Sequence, residues 1–205
     1  MSNAPSSAAG VGARIVDARR PVAVVAAACF ATCDFVLVFC DAGLSTRGML
    51  LLPALLTLGW ATSWDLRSLG FRLKAEQSVR YWALAILAAG SAIVIFQCVY
   101  VGASTDRLSV VFAEDGFLER ARYVWEHLPY ACGQIPLIEE GVYRFGLCTP
   151  LVPAFGKRST ILISGFAFVL LHVLYGNLTP ASFLGGFVLA WSYVHSGTIV
   201  VPVLL

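Results

Sequence analysis

Apolar residues form long, nearly uninterrupted stretches of this chain, and polar residues collect in the short segments between them. Six stretches are long enough, or nearly so, to cross a bilayer as helices of about 17–25 residues: 21–40, 48–64, 81–101, 128–153, 160–175 and 181–194. A seventh run from 197 to 205 is too short to span. The pattern predicts an all-α protein, a polytopic transmembrane helical bundle with about six complete spans and a truncated last helix.

Composition agrees with this prediction and limits the partners. Hydrophobic residues make up 59% of the chain, charged residues only 13%, and the mean hydropathy is +0.79. Soluble domains carry roughly 25% charged residues, so we expect membrane lipids as the surroundings. The net charge of +2, spread between apolar runs, excludes a nucleic-acid partner. We predict a flexible cytoplasmic N-terminus over 1–20 and a single transmembrane domain over 21–205.

The distribution of lysine and arginine predicts the orientation. Nine of these residues fall before the first span, between the second and third, and between the fourth and fifth, which places them all on one side. The opposite loops hold four, three of them in the acidic loop 102–126. By the positive-inside rule the N-terminus lies in the cytoplasm and the long loop lies outside.

Ionisable residues inside the fourth apolar run are the first candidates for chemistry, because charged groups at membrane depth usually mark a functional site. Glu140 and Arg144 are four positions apart, share a helix face and are predicted to pair. Glu139 points about 100° away and is free to act as a general base facing a polar cavity. His172 lies in the fifth run, one turn after Phe168, and imidazole is well suited to share a proton with Glu139.

Two sequence motifs resemble those of a known protein family. The segment Ile-Pro-Leu-Ile-Glu139-Glu140-Gly-Val-Tyr-Arg144 is similar to the Glu-Glu-x-x-x-Arg motif of the CAAX protease and bacteriocin-processing (CPBP or Abi) intramembrane proteases. Phe168-Val-Leu-Leu-His172 resembles the second motif of that family, Phe-x-x-x-His. The resemblance covers the chain from Ile135 onward and places the catalytic motifs in the half 128–205.

The resemblance implies an intramembrane endopeptidase of the glutamic type, in a bacterial inner membrane. Glu139 and His172 would activate a water that attacks a peptide bond, in the membrane-proximal or C-terminal part of a membrane-anchored or secreted protein. Glu140 and Arg144 would hold the site, and Phe168 would support His172. A third motif, His-x-x-x-Asn or Asp, is expected just beyond Leu205, so we expect the 205-residue chain itself to be severely impaired.

Other functions stay open at this level. A non-proteolytic membrane scaffold or immunity protein with the same fold is the main alternative, and a proton-coupled carrier using the two glutamates is another. We expect no cofactor, since one histidine and two glutamates fall short of the usual catalytic zinc set. If a metal takes part, its ligands would be Glu139, Glu140 and His172, with zinc the expected ion.

Overall fold

A computed structural model describes residues 11–12, 15–72, 75, 77–103, 125 and 133–204. Its regular structure there is entirely helical, as predicted. A short 3-10 turn, Asp17–Arg19, leads into eight helices: α1 (Arg20–Phe39), α2 (Leu44–Gly48), α3 (Leu51–Ala61), α4 (Val79–Ala103), α5 (Ile135–Glu140), α6 (Thr149–Leu174), α7 (Pro180–Ser196) and α8 (Val200–Leu204). A π-helical segment, Gly141–Cys148, joins α5 to α6 without a break.

Small and apolar side chains on one face of α1 bring it into the centre of the bundle. Ala23, Ala27, Asp34 and Val38 are its buried residues, and their spacing places them along a single face. Helix α1 packs against α3, α6 and the π-helical segment, while α6 packs most extensively against α7. Asp34 therefore lies inside the protein, although it belongs to an otherwise apolar helix.

The continuous helix from α5 into α6 changes geometry twice. All eight residues of the wider π-helical turns, Gly141–Cys148, are buried, and such turns are frequent at functional sites. The second change is a break at Gly156, whose φ of 78° favours glycine. Pro153, three residues earlier, lies inside the helix and helps to end its first part. The break turns the chain back, so that residues 157–174 run as a separate helix.

Helix α7 has well-defined ends and approaches α6 closely. Thr179 and Ser182 form a reciprocal capping box at its start, and Gly197 ends it in the left-handed conformation with φ of 70°. Near the middle of the contact, a Cβ on Gly186 would lie 2.9 Å from the carbonyl oxygen of Gly165. Only the absence of a side chain lets the two backbones come this close.

The structure bears on two further predictions. Three segments of the described residues are long and apolar enough to cross a membrane, Asp17–Phe39, Leu44–Ala61 and Ile135–Leu174, so the predicted six spans are not confirmed as a count. The third includes two predicted spans, separated by the break at Gly156. Residues 1–10 of the predicted flexible N-terminus lie outside the described residues. Val11 and Ile15 are buried, however. This part of the predicted N-terminal segment therefore packs against the bundle, because its apolar side chains are removed from solvent there.

Candidate active site

Glu140 and Arg144 form the predicted ion pair inside the bundle. Nε of Arg144 lies 2.9 Å from Oε2 of Glu140, and both side chains are buried. Nη1 of Arg144 donates to Oγ of Ser164 at 2.8 Å, and that hydroxyl donates to the carbonyl oxygen of Tyr143. The guanidinium carbon also lies 5.0 Å from the centre of the Phe168 ring, a cation–π contact. Arg144 thus contacts both α5 and α6 and holds the second glutamate in place.

Glu139 faces a cavity, again as predicted. The cavity has a volume of about 360 Å³ and is lined by Ala42, Leu44, Arg47, Ile135, Glu139, His172, Tyr175 and Asn177. Glu139 is half-buried, and its carboxylate has no hydrogen-bond or ion-pair partner among the described residues. The two adjacent glutamates therefore differ sharply: one is paired and enclosed, and the other is open to the cavity.

His172 lines the same cavity from the opposite helix. Its Nδ1 lies 3.0 Å from the carbonyl oxygen of Phe168, and because a carbonyl only accepts, we assign the ring proton to Nδ1. Nε2 of the neutral ring is then left as an acceptor. The Phe168 and His172 rings lie 4.5 Å apart, which is the predicted packing of Phe168 beside the histidine. The structure thus brings Glu139 and His172 to one cavity, while their catalytic roles stay a prediction.

A second buried ion pair, between Asp34 and Arg47, borders this cavity and was missed by the sequence analysis. Arg47 binds the Asp34 carboxylate with two nitrogens, Nε to Oδ1 at 2.7 Å and Nη2 to Oδ2 at 2.9 Å. The hydroxyl of Tyr143 donates to Oδ2 of Asp34 at 2.8 Å, and Nη1 of Arg47 donates to the hydroxyl of Tyr175. Both charged side chains are buried, and Arg47 is one of the residues that line the cavity.

One signal in the sequence could have found this pair. Asp34 is the acidic residue inside the first apolar run, and it falls on the same helical face as Ala23, Ala27 and Val38. An ionisable residue on the inner face of a membrane helix is by default a candidate for function. The sequence does not identify Arg47 as the partner of Asp34, because Arg47 lies in what looks like an ordinary loop between two predicted spans.

The possible metal ligands of the sequence analysis do not form a cluster in the described part of the chain. No three His, Cys, Asp or Glu side chains of that part are grouped so that they could hold an ion. Glu139 and His172 line the cavity, whereas Glu140 is turned away and held by Arg144. Whether zinc takes part stays an open prediction.

A comparison with protein-family models places this geometry in context. Residues 122–205 match the Rce1-like model, which is described as type II CAAX prenyl endopeptidase Rce1-like. The match supports membership of the CAAX protease family. The matched segment includes Glu139, Glu140, Arg144 and His172, so the resemblance predicted from the two motifs is confirmed. Searches of curated proteins and of solved structures found no match.

The match to the Rce1-like family model carries a coarse functional conclusion. The family points to a protease, and the apolar helices point to a membrane protein. Asp34 and Arg47 lie outside the segment that matches the family model. The cavity is therefore lined on one side by the segment that matches the family model, and on the other side by α2 and the loop that precedes it.

Proposed function

We propose that this protein is an intramembrane endopeptidase that hydrolyses a peptide bond in the membrane-proximal or C-terminal part of a protein substrate. The observation that supports the proposal is that Glu139 and His172, far apart in sequence, line one cavity. Both are potential proton acceptors, and the cavity is large enough for water and part of a peptide. A half-buried carboxylate with no protein partner among the described residues also fits a general base better than a structural role.

The proposed reaction begins with a water molecule between the Glu139 carboxylate and Nε2 of His172. As the water oxygen bonds to the scissile carbonyl carbon, its proton passes to Glu139. The carbon–nitrogen bond then breaks, and the same proton moves to the leaving amine. Glu140 and Arg144 act as positioning residues, since their pair fixes the helix that carries Glu139. This chemistry needs no metal, which we propose as the more economical mechanism.

We further propose that the protein resides in a bacterial inner membrane with its N-terminus in the cytoplasm. The substrate would be a membrane-anchored or secreted protein that presents an extended segment to the cavity. The family description names CAAX prenyl endopeptidases, so a prenylated CAAX peptide is the reasonable first probe. The cleavable bond follows the prenylated cysteine in such a peptide.

The test is cleavage of a farnesylated CAAX peptide, carrying a fluorophore and a quencher across that bond, by the protein in proteoliposomes, in a form that carries the expected third motif. Glu139→Gln and His172→Ala should each lower the rate by about 10²–10⁴-fold, the usual cost of removing a general base. A strong zinc chelator should leave the cleavage rate unchanged. If the chelator lowers the rate, the protein is still a protease, but its mechanism is metal-assisted.

His195→Ala is the matched control. Like His172, His195 has its Nδ1 close to the carbonyl oxygen of the residue four positions earlier, here 3.1 Å from that of Trp191. Its ring also packs against the Trp191 ring. His195 does not line the cavity, however. Its replacement should leave the rate within about twofold, since it takes no part in the chemistry. Full activity of Glu139→Gln would exclude the proposed mechanism. If the form that carries the third motif and no substitution cleaves neither this peptide nor its non-prenylated form, the scaffold alternative replaces the protease.

A further inference from the structure

A chain of hydrogen bonds joins two tyrosines through the Asp34–Arg47 pair. The hydroxyl of Tyr143 donates to Oδ2 of Asp34 at 2.8 Å. Arg47 binds both oxygens of that carboxylate, at 2.7 and 2.9 Å, and donates through Nη1 to the hydroxyl of Tyr175. The chain of hydrogen bonds therefore runs from the π-helical segment through α1 and α2 to the residue that follows α6.

Each tyrosine lies about one helical turn from a candidate catalytic residue. Tyr143 follows Glu139 by four positions, and Tyr175 follows His172 by three. Residues spaced in this way are neighbours on a helix surface. Arg47 and Tyr175 also line the cavity that both candidates face. The two ends of the hydrogen-bond chain are thus attached to the two turns that carry the proposed base and its histidine partner.

The tyrosine rings also support the histidine. The ring centres of Tyr175 and His172 are 6.0 Å apart, with nearly perpendicular planes. Tyr143 packs against Phe168 in the same manner, at 5.8 Å, and Phe168 packs against His172. Asp34 and Tyr143 are fully buried, where hydrogen bonds are shielded from water and are strong. The network therefore constrains the two tyrosines and the orientation of the imidazole together.

A buried ion pair does more than hold helices together. Apolar side chains of similar volume would join α1 to α2 without the cost of desolvating two charges. A carboxylate bound by a guanidinium fork provides instead a fixed distance and direction. We propose that the Asp34–Arg47 pair is a positioning device, which sets the spacing and orientation of Glu139 and His172 through the two tyrosines. This inference rests on the proposed function, because it concerns the geometry of that site.

Spin labels test the spacing without any need for activity. Leu137 on α5 and Val173 on α6 are exposed. Labels at Leu137→Cys and Val173→Cys, with serine at the six native cysteines, report the distance between the two helices by dipolar EPR of the 205-residue chain in liposomes. Tyr143→Phe combined with Tyr175→Phe should broaden the distance distribution or shift its mean by about 1 Å or more. Tyr193→Phe should leave it unchanged. An unchanged distribution in the double variant would overturn the proposal.

Steady-state cleavage of the farnesylated CAAX peptide, by the form that carries the third motif, tests the consequence for catalysis. Tyr143→Phe and Tyr175→Phe keep the rings and should each lower kcat by about 10–10²-fold, because a misplacement of about 1 Å acts on the chemical step. KM should stay within about threefold. The double variant should lose little more than the less active single variant, since either substitution breaks the same network. Losses that multiply would show that the tyrosines act independently and would overturn the proposal.

Tyr193→Phe is the matched control in both experiments. The Tyr193 hydroxyl is also buried and hydrogen-bonded, to Thr149 and to the carbonyl oxygen of Leu69, but Tyr193 does not line the cavity. Its replacement should keep kcat within about twofold. An equal loss of kcat in this variant would mean general destabilisation rather than positioning, and would also overturn the proposal.

Two further variants separate the alternatives. Arg47→Lys keeps a positive charge near Glu139, but an ammonium lacks the planar fork that binds Asp34 and Tyr175 together. It should lose kcat as the tyrosine variants do, whereas full activity would show that only the charge matters and would overturn the inference. An inactive Glu139→Gln beside fully active tyrosine variants would overturn this inference alone. If the form with the third motif and no substitution cleaves nothing, the proposed function fails, and the EPR distances alone decide whether the pair sets the spacing.

Discussion

Individual charged side chains in this protein are kept inside an apolar bundle by pairing. Glu140 with Arg144 and Asp34 with Arg47 are both buried, and hydroxyl groups of Ser164, Tyr143 and Tyr175 form additional hydrogen bonds with these pairs. An isolated buried charge is costly, whereas a pair with additional hydrogen bonds is tolerated. Glu139 differs from the other two carboxylates because it opens to the cavity, and this difference is what makes it the candidate base.

The Glu140–Arg144 pair leads to a prediction about folding. Glu140→Gln should destabilise the protein by about 3–5 kcal/mol, because it leaves the Arg144 guanidinium buried without a counter-charge. Glu140→Gln combined with Arg144→Met should be less destabilised than Glu140→Gln alone, since no unpaired charge remains. The measurement is the temperature at which the detergent-solubilised protein aggregates. A double variant less stable than the single one would mean that Arg144 acts mainly through Ser164 and Phe168.

Helices α6 and α7 position one wall of the site through their close approach. Thr160, Ser164, Phe168 and His172 recur every fourth residue and form one face of α6. Ser164 and Phe168 contact Arg144 on this face, and His172 reaches the cavity. The neighbouring Gly165 meets Gly186 of α7, so the distance between the two helices depends on two residues without side chains.

Two adjacent glycines of α7 allow a matched test of this contact. Gly186→Ala places a Cβ 2.9 Å from the backbone oxygen of Gly165, so the helices must separate and the protein should lose stability. Gly185→Ala places its Cβ in open space and should be neutral, or stabilising by up to about 1 kcal/mol through the higher helix propensity of alanine. The same aggregation temperature measures both. Equal effects of the two substitutions would show that close packing at Gly186 does not limit stability.

The whole bundle has two chemically distinct ends. At the basic end, Arg19 contacts Trp60 and Ser63, Gly12 donates to Ser68, and Ile199 donates to Gly70. Five further basic residues are at the same end of the bundle: Arg20, Arg67, Arg72, Lys157 and Arg158. The cavity end holds Asp34, Arg47, Glu139, His172 and Tyr175. From Arg158 to His172 the helix rises roughly 20 Å, so the ends are well separated.

If the basic end is cytoplasmic, as the positive-inside rule predicts, the cavity opens toward the outer side of the membrane. Cys40 is exposed, two residues before the cavity-lining Ala42, and Arg158 is exposed at the basic end. In bacterial cells, a membrane-impermeant maleimide should label Cys40 before permeabilisation and an Arg158→Cys variant only after it. Both proteins would carry serine at the remaining cysteines, which are Cys29, Cys33, Cys98, Cys132 and Cys148, and alanine at Cys40 in the variant. Labelling in the opposite order would mean that the orientation is the reverse of the predicted one, with the cavity open to the cytoplasm.

Much of the candidate site follows from local spacing. Glu140 and Arg144 had to share a helix face, Glu139 had to point elsewhere, and Phe168 had to pack beside His172, because 3.6 residues per turn fix these relations within one helix. The long apolar runs likewise required helices, since a backbone in lipid must satisfy its own hydrogen bonds.

Contacts between helices could not be predicted in the same way. Asp34 and Arg47 meet Tyr143 and Tyr175 across long sequence separations, and the π-helical turns and the break at Gly156 set the path that brings them together. The spacing of residues along one helix does not determine which face of a second helix they contact. That choice depends on how the two helices pack, here on contacts such as that of Gly165 with Gly186. The meeting of Glu139 and His172 at one cavity, and the presence of Arg47 beside them, are therefore properties of the folded bundle rather than of any single segment.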